Sequence, residues 1–186
     1  MEAMLLRFIV PGLCVFLASG CAASPVDEAA ATRATFDRGV AAYDAKNYPE
    51  AFRIFASIDD RDLAAMRNEA LMLRRGEGVA KDPAAAEALY ERAARGGLAT
   101  AAADLGEMLL KGEAGPADPK AALPWLAAAA AAHHPIAAFE LAQMYEAGNG
   151  IDKSLPAARD LYRQAASEGL EEAAKRLAAM PATPTP

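Results

Sequence analysis

Cysteine is scarce in this chain, and its positions limit how the protein can be stabilised. Only Cys14 and Cys21 occur among the 186 residues, and both precede residue 22. The rest of the sequence has no cysteine with which to form an internal disulfide, even in an oxidising compartment. The chain after residue 21 must therefore be stabilised by the packing of its side chains.

Aromatic residues and positive charge are also limited. Aromatics make up 6% of the chain although hydrophobic residues make up 54%, so alanine supplies most of the apolar content. Alanine is the strongest helix former and allows helices to approach closely. The formal net charge is −6, and no basic stripe is evident. We therefore expect no nucleic-acid partner.

The first 21 residues have the organisation of a secretory signal. Arg7 precedes an apolar run at residues 8–17, and Ala18-Ser19-Gly20-Cys21 follows. A short basic start, an apolar stretch and small residues are typical of a removed signal segment. The apolar run is too short to span a membrane comfortably. This pattern resembles a bacterial lipoprotein signal, with residues 18–21 as the lipobox.

The lipoprotein resemblance implies a modification and a location. It implies that residues 1–20 are removed and that Cys21 is acylated, which makes Cys21 the lipidation site. The alternative is an ordinary signal peptide cleaved near Ala23. Because Ala22 and not aspartate follows the cysteine, the resemblance further implies an outer-membrane lipoprotein that faces the periplasm of a Gram-negative bacterium. Residues 21–32 are predicted to form a tether, with helical periodicity from Arg33.

A 36-residue repeat organises most of the remaining chain. Gly76, Gly112 and Gly148 are each 36 residues apart. Other positions recur in the same register: Met72, Met108 and Met144; Asp82, Asp118 and Ser154; Tyr90, Leu126 and Tyr162; Gly97, His133 and Gly169. A fixed period in this range indicates stacked structural units, each of which buries its apolar face against its neighbours.

The repeated segments resemble a known family. Residues 104–112 and 140–148, together with 88–97 and 160–169, resemble the Sel1-like repeat, a relative of the tetratricopeptide repeat. Residues 39–55 resemble a tetratricopeptide unit. The resemblance implies an all-α, right-handed solenoid of antiparallel helix pairs. Its predicted parts are a tetratricopeptide-like hairpin at 33–61, three Sel1-like repeats at 62–169, a capping helix at 170–180 and a disordered tail at 181–186.

Local signals predict where the helices of each unit begin and end. Gly76 is expected to end a helix in the left-handed conformation. Aspartate followed by proline, at Asp82 and Asp118, is expected to start the next helix. Pro124 fits less well, because it would be the sixth residue of its helix. Either that helix is kinked or its regular part starts at Pro124.

Few residues suggest catalytic or metal chemistry. The adjacent histidines His133 and His134 favour a helix-end role over a metal site, because adjacent side chains diverge on a helix. The methionine column favours core packing over copper binding. The chain after residue 21 has no phosphate loop and no recognisable nucleophile–base set. We therefore predict a non-enzyme with no catalytic residue, metal or cofactor.

The family resemblance supplies candidate binding residues. In tetratricopeptide domains the first helix of each unit lines the concave face, which implies a groove for a protein or peptide partner. The alternative is a concave face that is merely solvated. Carried over position by position, the candidates are Phe36, Val40 and Tyr43; Arg67, Leu71, Arg74 and Arg75; Glu107, Leu110 and Lys111; Phe139, Gln143 and Glu146.

Three functions are compatible with this sequence. The first is an envelope lipoprotein, anchored to the membrane, that acts as a protein-interaction scaffold. The second is a hydrolase of cell-wall or lactam substrates related to cysteine-rich Sel1 proteins, against which the missing cysteines count. The third is a purely structural lipoprotein. We expect the first, with an acidic or amphipathic segment as the ligand.

Overall fold

The computed structural model describes residues 25–181, which form nine α-helices and no strand. The helices are α1 (Pro25–Asp44), α2 (Tyr48–Ala56), α3 (Leu63–Arg75), α4 (Pro83–Arg95), α5 (Ala99–Lys111), α6 (Pro119–Ala131), α7 (Pro135–Ala147), α8 (Leu155–Ser167) and α9 (Glu171–Ala179). The signal segment, Cys21 and the tail from residue 182 lie outside the described residues. Within 25–181 no helix is both long and apolar enough to cross a bilayer.

Each helix packs against the next one along the chain. Helices α1 and α2, α3 and α4, α5 and α6, and α7 and α8 form pairs, and successive pairs stack on one another. Helix α5 also contacts α7 directly. Helix α9 follows the last pair and packs on α8, with most of its other side chains exposed. This is the predicted all-α solenoid of helix pairs with a polar cap.

The predicted helix boundaries rest on side-chain and glycine caps. The carboxylate of Asp82 accepts a hydrogen bond from the amide of Ala85 at 3.0 Å. Asp118 and Ser154 cap α6 and α8 in the same way. Helices α3, α5 and α7 all end at a glycine in the left-handed region, where a side chain would be strained: Gly76, Gly112 and Gly148. The aspartate and glycine signals are confirmed.

The repeated apolar columns form the core. Met72, Met108 and Met144 are almost fully buried, so the core-packing prediction for the methionines is confirmed. A Cβ atom built on Gly106 would lie 2.5 Å from a methyl carbon of Leu126. The small residue therefore lets α5 and α6 approach closely. Trp125 packs at the junction between two of the buried clusters.

Helix α1 begins earlier than the periodicity predicts. It starts at Pro25, eight residues before Arg33, so residues 25–32 are helical and do not form a tether. Proline is accepted in the first turn because its missing N–H has no intrahelical partner there. Asp27 and Glu28 follow in the same turn, where negative charge favours a helix. The residues of this turn are exposed and give no apolar pattern from which to predict them.

Helix α6 continues through Pro124. It runs from Pro119 to Ala131, so its regular part does not start at Pro124. A proline at this position leaves the carbonyl of Lys120 without its usual donor. Both Pro124 and Lys120 are exposed, and water can bind such a carbonyl at the surface.

His133 takes the place of a helix-ending glycine. Its φ is 61°, and Gly97 and Gly169, at the same repeat position, have φ values of 96° and 94°. The His133 amide donates to the carbonyl of Ala130 at 2.9 Å. The next residue, His134, caps α7 through its ring nitrogen. The helix-end interpretation of this histidine pair is confirmed.

Candidate partner-binding face

The odd-numbered helices carry the predicted binding residues on a shared surface. Arg67 on α3 donates to Asp104 on α5 at 2.6 Å, and Arg74 on α3 donates to Glu107 on α5 at 2.9 Å. These side chains therefore meet across consecutive odd-numbered helices. We call this surface the inner face and define it by Val40, Tyr43, Asn68, Leu71, Arg74, Arg75, Glu107, Lys111, Glu140, Gln143 and Glu146.

The centre of the inner face is an ion-pair network around Arg74. Its guanidinium donates to both carboxylate oxygens of Glu113, at 2.6 and 2.5 Å, and also to Glu107. The Arg74 side chain is only 13% exposed. Lys111 adds a second ion pair to Glu107. Arg74 and Arg67 therefore neutralise acids within the protein and do not present free positive charge to an acidic ligand.

The network shifts the pKa values of its members. The hydrogen bonds from Arg74 lower the pKa of Glu113, and the same contact raises the pKa of Arg74. Burial alone would raise the pKa of Glu107, but hydrogen bonds from Lys111 and Arg74 outweigh burial and lower it. Both carboxyl groups are therefore held in the charged form.

Glu140 lies beside this network without sharing its hydrogen bonds. One carboxylate oxygen of Glu140 is buried with no hydrogen-bond partner. Burial and the nearby negative charge of Glu107 raise the pKa of Glu140 to about 7, although Lys111 and Arg74 oppose the rise. Glu140 is not among the residues predicted from the sequence. The available signal was its repeat position, which Asn68 and Asp104 share.

A small apolar pocket lies at the N-terminal end of the inner face. This N-terminal pocket has a volume of about 100 Å³ and is lined by Val40, Tyr43, Phe55, Asn68 and Leu71. It brings together three predicted residues from α1 and α3. Sequence analysis missed Phe55 and Asn68. The available signal for Asn68 was again its repeat position on α3.

The floor of the N-terminal pocket is held by close packing of α1 on α2. Phe55 is 1% exposed, and its ring centroid lies 5.7 Å from that of Phe36. A Cβ atom on Gly39 would lie 2.6 Å from the Phe55 ring. Glycine is therefore required where this ring presses against α1.

A wider polar groove lies at the C-terminal end. Its volume is about 420 Å³, and its lining includes Gln143, Glu146, Lys153, Leu155 and Arg176. Glu146 accepts a hydrogen bond from the Tyr162 hydroxyl at 2.7 Å. It also receives two hydrogen bonds from Arg176, at 3.0 and 3.1 Å. This groove contains two of the predicted binding residues, Gln143 and Glu146.

Two other predicted residues contribute to packing. The ring of Phe139 lies 5.4 Å from that of Tyr162, and Phe139 is half-buried. Leu110 is also half-buried and packs against the same core cluster. Both side chains stabilise the junctions between units and offer limited surface to a ligand. In the described part of the chain, no three histidine, cysteine or acidic side chains are grouped closely enough to hold a metal ion.

Comparison with known families identifies the repeats. The Sel1 repeat family matches residues 63–98, 99–134 and 135–170. Each match begins at the first residue of an odd-numbered helix and ends after the even-numbered helix that follows it. Among curated proteins, none matches the chain.

Comparison with solved structures gives the same fold. A Sel1 repeat protein from Oxalobacter formigenes is 29% identical, with a TM-score of 0.72 over 76% of this chain and 58% of that chain. The protein c5321, a protective antigen of uropathogenic Escherichia coli strains with an SLR fold, is 22% identical, with a TM-score of 0.74 over 78% of this chain and 32% of that one.

A more distant structure shares the fold over most of both chains. It is a sel1 repeat protein from Klebsiella pneumoniae that is 19% identical, with a TM-score of 0.55 over 82% of this chain and 80% of that chain. The present chain therefore spans about three fifths of the Oxalobacter protein and a third of c5321. Together these similarities confirm the predicted right-handed α-solenoid.

Proposed function

The chain belongs to the Sel1 repeat family, and from that premise we propose that it is a lipid-anchored scaffold of the bacterial envelope. Sel1 repeat proteins have a fold that is generally used for protein–protein interaction. In the proposed scaffold, the inner face binds a segment of a partner protein and an acylated Cys21 holds the domain at the membrane.

One observation carries the proposal of an interaction surface. Residues from α1, α2 and α3 converge on the N-terminal pocket, and three of the five lining residues were predicted as binding residues from the family resemblance. Protein-binding surfaces concentrate their affinity in such pockets, which receive one or a few anchoring side chains. The ion pairs of Arg67 with Asp104 and of Arg74 with Glu107 join α3, which contributes to the pocket, to α5.

The proposed partner site can be tested in cells by photo-crosslinking. We expect a photoreactive amino acid at Arg75 or Gln143, both on the inner face, to capture a partner protein. Matched controls are Lys120 and Ala127, which are exposed on the even-numbered helix α6. Adducts should form at the first two positions and not at the controls. Adducts confined to the α6 positions would place the binding surface on the opposite side of the solenoid.

The proposed membrane anchor has a separate test. The substitution Cys21→Ser should release the protein from the membrane fraction and abolish its labelling with a fatty-acid probe. The physical reason is that acyl chains contribute about 0.8 kcal/mol for each buried methylene, and serine offers no thiol to acylate. Cys14→Ser is the matched control and should leave both properties unchanged. Full membrane retention of the Cys21→Ser protein would contradict the anchor.

A further inference from the structure

The N-terminal pocket has the shape of a site for one side chain. Its volume of about 100 Å³ is well below the roughly 300–1,000 Å³ of sites that hold whole small molecules. That space can receive one aliphatic side chain but not a whole helix. Four of its five lining residues present apolar or aromatic surface, namely Val40, Tyr43, Phe55 and Leu71.

The polar groups of the pocket are not equally available. The Tyr43 hydroxyl donates to Glu77 at 2.7 Å and accepts from Arg75 at 3.3 Å, so it is already satisfied. The side-chain amide of Asn68, which lines the pocket, makes no hydrogen bond within residues 25–181. Its amide offers both a donor and an acceptor. Such a donor–acceptor pair can hydrogen-bond the N–H and C=O groups of an extended peptide backbone that lies beside an apolar pocket.

Arg75 supplies a positive charge at the mouth of the pocket. Its side chain is 53% exposed and lies 3.7 Å from Glu77. A guanidinium has five N–H donors, and the contact with Tyr43 uses only one of them. In contrast to Arg74, whose guanidinium binds two carboxylates, Arg75 can donate to a carboxylate that approaches from solvent.

We propose that the N-terminal pocket receives an aliphatic side chain of an extended partner segment, with an acidic residue beside it bound by Arg75 and the backbone bound by Asn68. This inference rests on the proposed scaffold function and specifies the chemistry of its partner. The apolar lining selects the aliphatic residue. The unused guanidinium donors select the neighbouring carboxylate, and the free amide selects an extended backbone over a helical one, whose own groups are already paired.

A defined peptide tests the proposal. The probe is a nine-residue serine–glycine peptide that carries a photoreactive leucine analogue followed by aspartate. It is irradiated with the full chain in detergent micelles, and the adducts are mapped by mass spectrometry. We expect adducts on Val40, Tyr43 or Leu71. Replacing the aspartate with lysine should lower the yield about tenfold, because a charged hydrogen bond is lost.

Variants separate the proposed contacts from effects on folding. Arg75→Glu should reverse the preference, so that the lysine peptide gives the higher yield. Asn68→Leu should lower the yield with both peptides. The matched control is Asn149→Leu, which removes an exposed amide in the loop between α7 and α8 and should leave the yield unchanged. Circular dichroism of each variant checks that the helices remain folded.

Several outcomes would overturn the proposal. They are adducts scattered over the surface, adducts at the pocket whose yield does not change when the charge of the peptide or of residue 75 is reversed, or no adduct at all. A dimer of the full chain that the peptide dissociates would also overturn it, because the occupant would then be a second copy. If cellular adducts form on the inner face while the peptide fails, the scaffold function stands and only the pocket is rejected.

Discussion

Replacing Arg74 with methionine should destabilise the protein by about 3 kcal/mol, which corresponds to roughly 6–12 °C in melting temperature for a domain of this size. Arg74 is the cation shared by Glu107 and Glu113, and its side chain is 13% exposed. Its removal leaves Glu113 without its bidentate partner and reduces the positive charge around Glu107. Leaving partly buried carboxylates unpaired costs far more than losing a surface ion pair.

The control for this substitution is an arginine whose ion pair is exposed. Arg95 pairs with Glu91 on α4, and the two side chains are 67% and 40% exposed. Arg95→Met should therefore change the stability by less than about 0.5 kcal/mol. Thermal unfolding followed by circular dichroism measures both variants. If the two variants have equal melting temperatures, the network around Arg74 contributes no more stability than an exposed ion pair does.

The same network predicts a dependence on acid. The folded-state pKa values of Glu107 and Glu113 are lowered, so their stabilising effect is present above the pKa of the unfolded chain. It is lost as the pH falls through the lower folded-state values. The native protein should therefore lose more stability than the Arg74→Met variant between pH 5 and pH 2. If the free energy of unfolding falls equally in the two proteins over this pH range, Glu107 and Glu113 are not the source of the acid dependence.

Replacing Arg74 should destabilise the protein, whereas replacing Glu140 with glutamine should stabilise it at pH 8 by about 3 kcal/mol. The pKa of Glu140 is raised to about 7, from an ordinary value near 4.5. Each pKa unit corresponds to about 1.4 kcal/mol. Four charged groups act on it: Glu107 and Asp104 raise its pKa, and Lys111 and Arg74 lower it. Glutamine removes the buried negative charge while keeping the shape of the side chain.

The pH at which this stabilisation appears follows from the sign of the shift. Below about pH 4.5 the carboxyl group of Glu140 is protonated in both the folded and the unfolded chain, so glutamine confers little advantage. As the pH rises to about 7, the unfolded chain loses the proton first and the folded state becomes relatively less stable. Chemical unfolding at pH 4 and pH 8 measures the difference. Glu172→Gln, an exposed change on α9, is the control, and a gain at pH 8 no larger than this control's would contradict the prediction.

The sequence predicts the repeat architecture well because its signals are local. Asp82 and Gly76 act within a few residues of their own positions, as caps do. The start of α1 was not predicted because its first turns are exposed and show no apolar periodicity. Their helix-favouring signals are a proline and acidic residues in the first turn. Pro124 was ambiguous because its cost depends on exposure, which a single sequence does not show.

The inner face is less predictable because its contacts join distant residues. The pairing of Arg74 with Glu113 spans 39 positions and depends on the course of the loop after α5. The sequence predicted that Arg74 and Glu107 lie on the same surface, and the two side chains do meet, but the charge of Arg74 was treated as free. It also missed Phe55, because that residue belongs to an even-numbered helix and reaches the pocket only through the close approach of α1 and α2 at Gly39.

The early start of α1 limits how far the proposed scaffold could extend from its proposed lipid anchor. With a lipid on Cys21, the four residue steps to Pro25 span at most about 14 Å. The 15 residues from Pro25 to Val40 then rise about 22 Å along the helix. The N-terminal pocket therefore operates within about 36 Å of the bilayer surface. In the proposed lipid-anchored scaffold, a partner would have to present its binding segment in this thin layer, so the position of the first helix would restrict recognition to proteins embedded in or attached to the same membrane.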